Sequence, residues 1–181
     1  LGKLADPQAV PYLADILTQV SDNKETKLRI VFALGQIGRG DTLPILIRLA
    51  KDTIPEVRAA AVSVLAQFDG PEAKEVLLEA LKDEEASVRV QVVTTLSGRI
   101  NGDSGIIDLI VGLLKREKED DVRLAGINGL AGIPRSDVKK MITDYLKDNE
   151  PRMRKAAAIS LARYSDKDSI EQIAPLLDDP S

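Results

Sequence analysis

The 181-residue chain contains no cysteine, no histidine and no tryptophan, and its aromatic side chains are two Phe and three Tyr. Each absence removes a class of chemistry. Without cysteine there is no disulfide, no thiolate nucleophile and no sulfur-held zinc or iron. Without histidine there is no imidazole-based dyad or triad and no imidazole-ligated metal. Zero cysteine suits every redox compartment, so the compartment stays open; the composition leans toward a soluble, cytoplasmic chain.

Charge of one sign is also missing. The chain carries 25 basic and 29 acidic residues, a net charge of −4, interspersed along its length. Nucleic-acid binders usually carry a basic surplus to neutralise phosphates, so no nucleic-acid partner is expected. No apolar run approaches the roughly 20 residues that span a bilayer, so no membrane span is expected. Neither a GxxxxGK[ST] nor a GxGxxG pattern occurs, so no phosphate-cradling loop is indicated. The carboxylates of Glu117, Glu119, Asp120 and Asp121 have no spacing that would converge on a hard cation and read as a solvated turn. No metal and no cofactor is expected.

What the chain does have is a repeat. A Leu, a small residue, any residue and an apolar residue recur as Leu1-Gly2-Lys3-Leu4, Leu34-Gly35-Gln36-Ile37, Leu65-Ala66-Gln67-Phe68, Leu130-Ala131-Gly132-Ile133 and Leu161-Ala162-Arg163-Tyr164, with a degraded copy at Leu96. Twelve residues after each lead Leu stands Leu13, Leu46, Leu77, Ile142 or Ile173; in the fourth copy the Gly-rich insertion at 101–105 shifts the match to Ile110. Seven residues before the lead stands Lys27, Arg58, Arg89, Arg123 or Arg154. Six earlier again comes Ser21, Asp52, Asp83, Glu117 or Asp148. Four columns in register identify a repeat array.

Each unit reads as two helices. Pro71 suits a helix start, where its missing N–H costs nothing. Ala73, Val76, Leu77, Ala80 and Leu81 then fall at spacings of three and four, which puts them on one helical face. Asp83-Glu84-Glu85 interrupts as a turn, and Val88, Val92, Val93 and Leu96 line a second helix. The same parsing predicts first helices near 7–20, 41–51, 71–82, 104–116, 136–148 and 168–178, and second helices near 24–37, 54–68, 86–100, 119–133 and 150–164. Loops of two to six residues make neighbours antiparallel. One hairpin cannot bury its apolar face alone, whereas stacked hairpins can. The expected fold is all-α: an α-solenoid of about five and a half antiparallel helix hairpins. Its units run 1–5, 6–38, 39–69, 70–101, 102–134, 135–165 and 166–181, the first and last truncated. Leu1 falls at the end of a second helix and Asp178-Asp179-Pro180-Ser181 at the turn before another, so the chain reads as a single array cut from a longer protein whose remainder continues the array.

The stretch from Ile54 to Arg89 resembles HEAT repeats, of the short kind found in bacterial and archaeal proteins and in phycobilisome bilin lyases. The resemblance rests on the Asp before the second helix, the Val-Arg at its start, the Ala-rich run, the Leu-small-x-apolar ending and the Gly-Pro turn. It covers essentially the whole chain and implies a HEAT-like superhelix. HEAT-like deoxyhypusine hydroxylases need His-Glu iron ligands, and HEAT-like DNA glycosylases use Trp and a basic groove; this chain has neither set. A bilin lyase-like subunit stays compatible with the repeat type, as does a purely architectural spacer in a larger protein.

Two sets of residues stand out. Asp52, Arg58, Asp83, Arg89, Glu117, Arg123, Asp148 and Arg154 form the regular polar column. They read as a structural ladder in which the acids cap or pair with the helix carrying the cation or bridge to the Arg of the next unit; an anion-binding ladder is the competing reading. The second set lies two and six residues before the lead Leu, where such repeats usually carry charge. Here these places hold Leu28, Phe32, Ala59, Ser63, Val90, Thr94, Leu124, Asn128, Lys155 and Ile159, and all of them but Ala59 and Lys155 are taken as the expected partner ridge. An extended apolar patch on a protein surface marks a partner site; the alternative is burial between neighbouring second helices. Gly126 and Gly129 read as places of close helix approach and Gly132 as a helix end. The expectation is therefore a non-enzymatic scaffold that binds a protein or peptide on the second-helix face.

Overall fold

The computed structural model describes residues 6–20, 22–38, 40–100 and 103–175. The lead phrase at Leu1, the column residue Ser21, Asn101-Gly102 of the insertion and the turn at 178–181 lie outside the described residues. Among those described, the chain forms eleven α-helices and two 3-10 turns and has no strand. The helices are α1 (Ala9–Gln19), α2 (Lys24–Ile37), α3 (Leu43–Leu49), α4 (Pro55–Leu65), α5 (Pro71–Ala80), α6 (Ala86–Ser97), α7 (Ser104–Leu114), α8 (Asp120–Gly129), α9 (Ser136–Asp144), α10 (Pro151–Ala162) and α11 (Lys167–Ile173). Odd numbers up to α9, and α11, are first helices; the even ones are second helices.

Local chemistry sets the ends. Pro55, Pro71 and Pro151 each open a helix, where a fixed φ is an asset. The Asn23 side chain accepts from the Thr26 N–H at the start of α2, and Asp166 accepts from the Ser169 N–H at the start of α11, which satisfies donors the helix itself leaves open. Gly38 closes α2 in the left-handed region, with φ 61° and its N–H on the Leu34 carbonyl. Two expected first helices are tighter at one end. Gly40–Thr42 is a 3-10 turn before α3, and Tyr145–Lys147 is one after α9. Such tightening is usual at helix termini.

The chain divides into two compact units, Leu1–Thr95 and Leu96–Ser181. In the first unit, second helix α4 packs on second helix α2, first helix α3 on first helix α5, and α4 touches α3 and α5. The lead leucines Leu34 and Leu65 and the column residues Leu46 and Leu77 are buried between these layers. In the second unit, α10 packs on α8 and on both α9 and α11, and α8 packs on α7. Leu130, Leu161, Ile110 and Ile142 are buried there, and Ile127, Met153 and Ala156 make a core cluster with Leu124 and Tyr145 against it. Full burial of each such aliphatic side chain contributes about 1.5–3 kcal/mol relative to exposure.

Glycine permits the closest contact in the second unit. A Cβ on Gly129 would stand 1.9 Å from Ser97 Oγ and 2.7 Å from Ser97 Cβ, and one on Gly126 would stand 2.6 Å from Leu114 Cδ2. Gly132 lies beyond the end of α8 with φ 77°.

Candidate interaction surface

The second helices carry two polar and apolar columns that decide what their surface can do. The cation column turns inward. Lys27 Nζ donates to Asp52 Oδ2 at 2.7 Å. Arg58 Nε and Nη2 donate to the two carboxylate oxygens of Asp83, both at 2.8 Å. In the second unit Arg123 Nη2 donates to Asp148 and Nη1 to Asp120. In these three rungs the cation reaches the acid 25 residues later, on the following hairpin, so Asp52, Asp83 and Asp148 each serve the hairpin before them and not, as the columns suggested, the Arg of the next unit.

The same guanidinium also holds its own turn together. Arg58 Nη1 donates to the carbonyls of Asp52 and Thr53, Arg89 Nη1 to those of Asp83 and Glu84, and Arg154 Nη1 to those of Asp148 and Asn149. The acids accept in turn from backbone two residues on: Asp52 from the Ile54 N–H, Asp83 from Glu85, Glu117 from Glu119 and Asp148 from Glu150. One side chain therefore links a turn, its own helix start and the next hairpin. Burial pushes the Asp83 carboxyl up, but the Arg58 guanidinium and the Glu85 N–H outweigh it and hold the group below its ordinary value. The Arg58 guanidinium is raised in turn, by its hydrogen bonds to Asp83 first. A hollow of about 700 Å³ around the Arg123 rung is lined by Asp120, Asp144, Asp148 and Glu150 as well as Arg123 and Lys147. Its cationic side chains are outnumbered by carboxylates, and Arg123, which also stacks 5.2 Å from the Tyr145 ring centre, is committed to Asp120 and Asp148. Free anions find little there.

The apolar column splits in two. The places six residues before the lead, Leu28, Ala59, Val90 and Leu124, are half-buried, and only Lys155 there is exposed. The places two before the lead, Phe32, Ser63, Thr94, Asn128 and Ile159, are exposed in all five second helices. Four residues is slightly more than one turn, so the first set sits on the shoulder toward a neighbouring helix and the second on the crest. Leu124 packs on the Ile127–Met153–Ala156 cluster. The large apolar members of the crest are Phe32, 61% exposed, in the first unit and Ile159, 54% exposed, in the second. The other three crest residues are small or polar. Exposed large apolar side chains also occur on first helices, at Tyr12 of α1 and Ile170 of α11.

Around Phe32 the surface is concave. An apolar groove of about 650 Å³ runs between α1 and α2, lined by Leu13, Ile16, Leu28, Phe32 and Ala33, with Glu25 and Arg29 at its rim. Arg29 Nη2 donates to Glu25 Oε1 at 2.6 Å on the exposed side. Column comparison pointed to Leu28 and Phe32 but not to Ile16, Glu25 or Arg29. The available signal was size: α2 carries Leu28 and Phe32 where α4 carries Ala59 and Ser63.

Among the described residues no group of acidic side chains could hold a metal ion, and no helix is long and apolar enough to cross a membrane. A family model described as HEAT repeats matches residues 10–97 and 107–181. No curated protein matches. Among solved structures, computationally designed armadillo repeat proteins for modular peptide recognition are 17% identical, with 96% of this chain and 89% of that one covered and a TM-score of 0.49.

Proposed function

The chain belongs to the HEAT-repeat family, and from that premise we propose that it acts as a protein-interaction scaffold that holds a protein or peptide on the face of its second helices. The observation that carries this is the placement of Phe32 and Ile159. Both stand on the exposed crest of second helices whose opposite sides are fully buried. Water-exposed Phe and Ile cost the free protein solubility and gain nothing for its core, and their burial by a partner releases that cost. The polar column supports the same reading, because its cations are consumed by the Asp pairs and backbone carbonyls and leave shape and apolar contact as the means of recognition.

The test is affinity capture with the wild-type chain, Phe32→Glu and Ile159→Glu as parallel baits. Proteins held by the wild type and released by either variant, with unchanged helical circular dichroism, support the scaffold. Identical captures with all three sink it. Leu124→Glu is a poor probe, because Leu124 packs on the core cluster and its loss reports folding instead of binding.

A further inference from the structure

We propose that the crest of α10 is the docking site for an acidic segment of a partner protein, one that sets an apolar residue between carboxylates. The inference rests on the scaffold reading and names the chemistry of the partner at one second helix.

The repeat register defines the crest. Counted from the lead Leu, the places nine before, two before and two after it fall on one stripe of a second helix. They hold Glu25, Phe32 and Gln36 on α2, Glu56, Ser63 and Gln67 on α4, and Ser87, Thr94 and Gly98 on α6. Each of these residues is exposed. Exposure at the crest therefore belongs to the repeat and does not depend on where a helix stands in the chain. On α8 the same places hold Asp121, Asn128 and Gly132, and on α10 they hold Arg152, Ile159 and Arg163. In a chain of net charge −4, a crest with a cation at each end and a large apolar residue between them is a local reversal of sign. Helix chemistry accounts for one of the two cations. Arg163 is the C-cap of α10, where the helix dipole favours positive charge. Arg152 follows Pro151 in the first turn, where the dipole disfavours it. There α2, α4 and α8 carry Glu25, Glu56 and Asp121. Helix stability thus gives no reason for Arg152.

Neither guanidinium is spent inside the fold. The ladder cation of the same helix, Arg154, turns inward to the carbonyls of Asp148 and Asn149. Arg152 instead meets Glu150 at 3.2 Å and Asp121 at 3.5 Å. Its side chain is 59% exposed and that of Asp121 73%, so these are solvated pairs that an incoming carboxylate can replace. Arg163 is exposed and makes no ion pair among the described residues. Lys155 on the adjoining shoulder has the same sign.

An acidic segment satisfies the whole crest at once. Carboxylates meet the two guanidinium forks, which suit bidentate pairing. An apolar side chain between them covers Ile159, 54% exposed in the free chain, and removes its surface from water. From Arg152 to Arg163 the crest spans about 16 Å, at about 1.5 Å per residue. About five extended residues, at about 3.3 Å each, cover that length. A polyphosphate or an anionic bilayer fits less well, because Asp121 and Glu150 beside Arg152 repel a continuous field of negative charge.

The test is selection from three displayed peptide libraries on the full chain. Each has randomised apolar positions, flanked by fixed Asp or Glu, by fixed Ser or Gln, or by fixed Lys or Arg. Selected peptides are then rebound to the double variant Arg152→Glu with Arg163→Glu, to Arg152→Gln with Arg163→Gln, to Ile159→Ser and to Phe32→Ser. Folding of each variant is checked by circular dichroism, and the Gln pair stands in should the Glu pair misfold. The expected result is enrichment from the acidic library alone. Its binders should weaken at least tenfold with either double variant and with Ile159→Ser, weaken further in high salt, and be unaffected by Phe32→Ser. Enrichment from the neutral or basic library, or acidic binders indifferent to both double variants, overturns the acidic partner while leaving the scaffold reading standing. No enrichment from any library overturns the acidic partner as well, and the parallel captures with Phe32→Glu and Ile159→Glu then decide the scaffold separately. Binding of a DNA duplex or of phosphatidylserine vesicles that is lost in the double variants assigns the crest to a polyanion and likewise overturns the proposal.

Discussion

Arg58→Ala is the sharpest perturbation of the polar column. Arg58 is 8% exposed. Its side chain makes two hydrogen bonds of 2.8 Å to Asp83 and two, of 2.9 and 3.2 Å, to the carbonyls of Asp52 and Thr53. Truncation leaves the nearly buried Asp83 carboxylate accepting from the Glu85 N–H without its guanidinium partner and removes the donor to both carbonyls. Breaking a buried pair from one side costs about 3–5 kcal/mol, because the remaining charge stays desolvated. For a chain of this size 1 kcal/mol corresponds to about 2–4 °C, so the melting transition of the first unit should fall by on the order of 10 °C. The assay is paired thermal and urea unfolding followed by circular dichroism, with Asp83→Ala and the double variant completing a cycle. The two single losses should far exceed additivity with the double. Replacing both residues by apolar ones, Arg58→Met with Asp83→Leu, should recover most of the loss, since two desolvation penalties disappear together. A single-variant loss below about 1 kcal/mol, the size of a surface pair, would mean that Arg58 and Asp83 do not act as a desolvated pair.

The Asp83 carboxyl titrates below its ordinary value of 3.8 in the folded chain, so its contribution is complete above that value and is lost as pH falls through the lower folded-state value; wild type and Asp83→Asn should therefore converge in stability in acid titrations, and a constant gap down to the lowest pH would contradict the pairing. Gly112→Ala in α7, where a Cβ meets nothing within 4 Å, should stabilise by up to about 1 kcal/mol through helix propensity. Gly129→Ala gains the same propensity but drives a Cβ into Ser97, and overpacking of about 1–3 kcal/mol should make it neutral to destabilising; the urea midpoint should rise for Gly112→Ala and stay level or fall for Gly129→Ala. Ile127→Ala, fully buried in the core cluster, should cost about 2–5 kcal/mol, read as a lower urea midpoint.

Much of this architecture is legible in the sequence for a simple reason. A repeat restates each structural constraint several times, so Leu34, Leu65, Leu130 and Leu161 identify a buried position together where any one of them would be ambiguous. Helix starts follow from Pro55, Pro71 and Pro151 by local chemistry alone. The 3-10 turns at Gly40–Thr42 and Tyr145–Lys147 were not legible, because α and 3-10 ends use the same residues and differ only in how tightly the last turn closes. Nor could the columns say which neighbour each Arg meets. A column fixes spacing along the chain, and only packing places Asp83 under the cation of the hairpin before it. The surface shows the same limit. Leu28 and Phe32 look equivalent as apolar letters four apart, yet one is half-buried on the shoulder and the other is exposed on the crest. Leu124 and Ile159 differ likewise, one packed on the core cluster and one free of it. Depth within a shared face depends on the neighbouring helix, which a single row of sequence does not contain.

If partners are held on the second-helix face, site-directed photo-crosslinking in the native host finds them there. A benzoylphenylalanine placed at Phe32 or Ile159 should capture a partner, while the same group at Lys74 or Lys140, exposed on first helices α5 and α9, should capture none. Crosslinks from Lys74 or Lys140 with silence at Phe32 and Ile159 would contradict it.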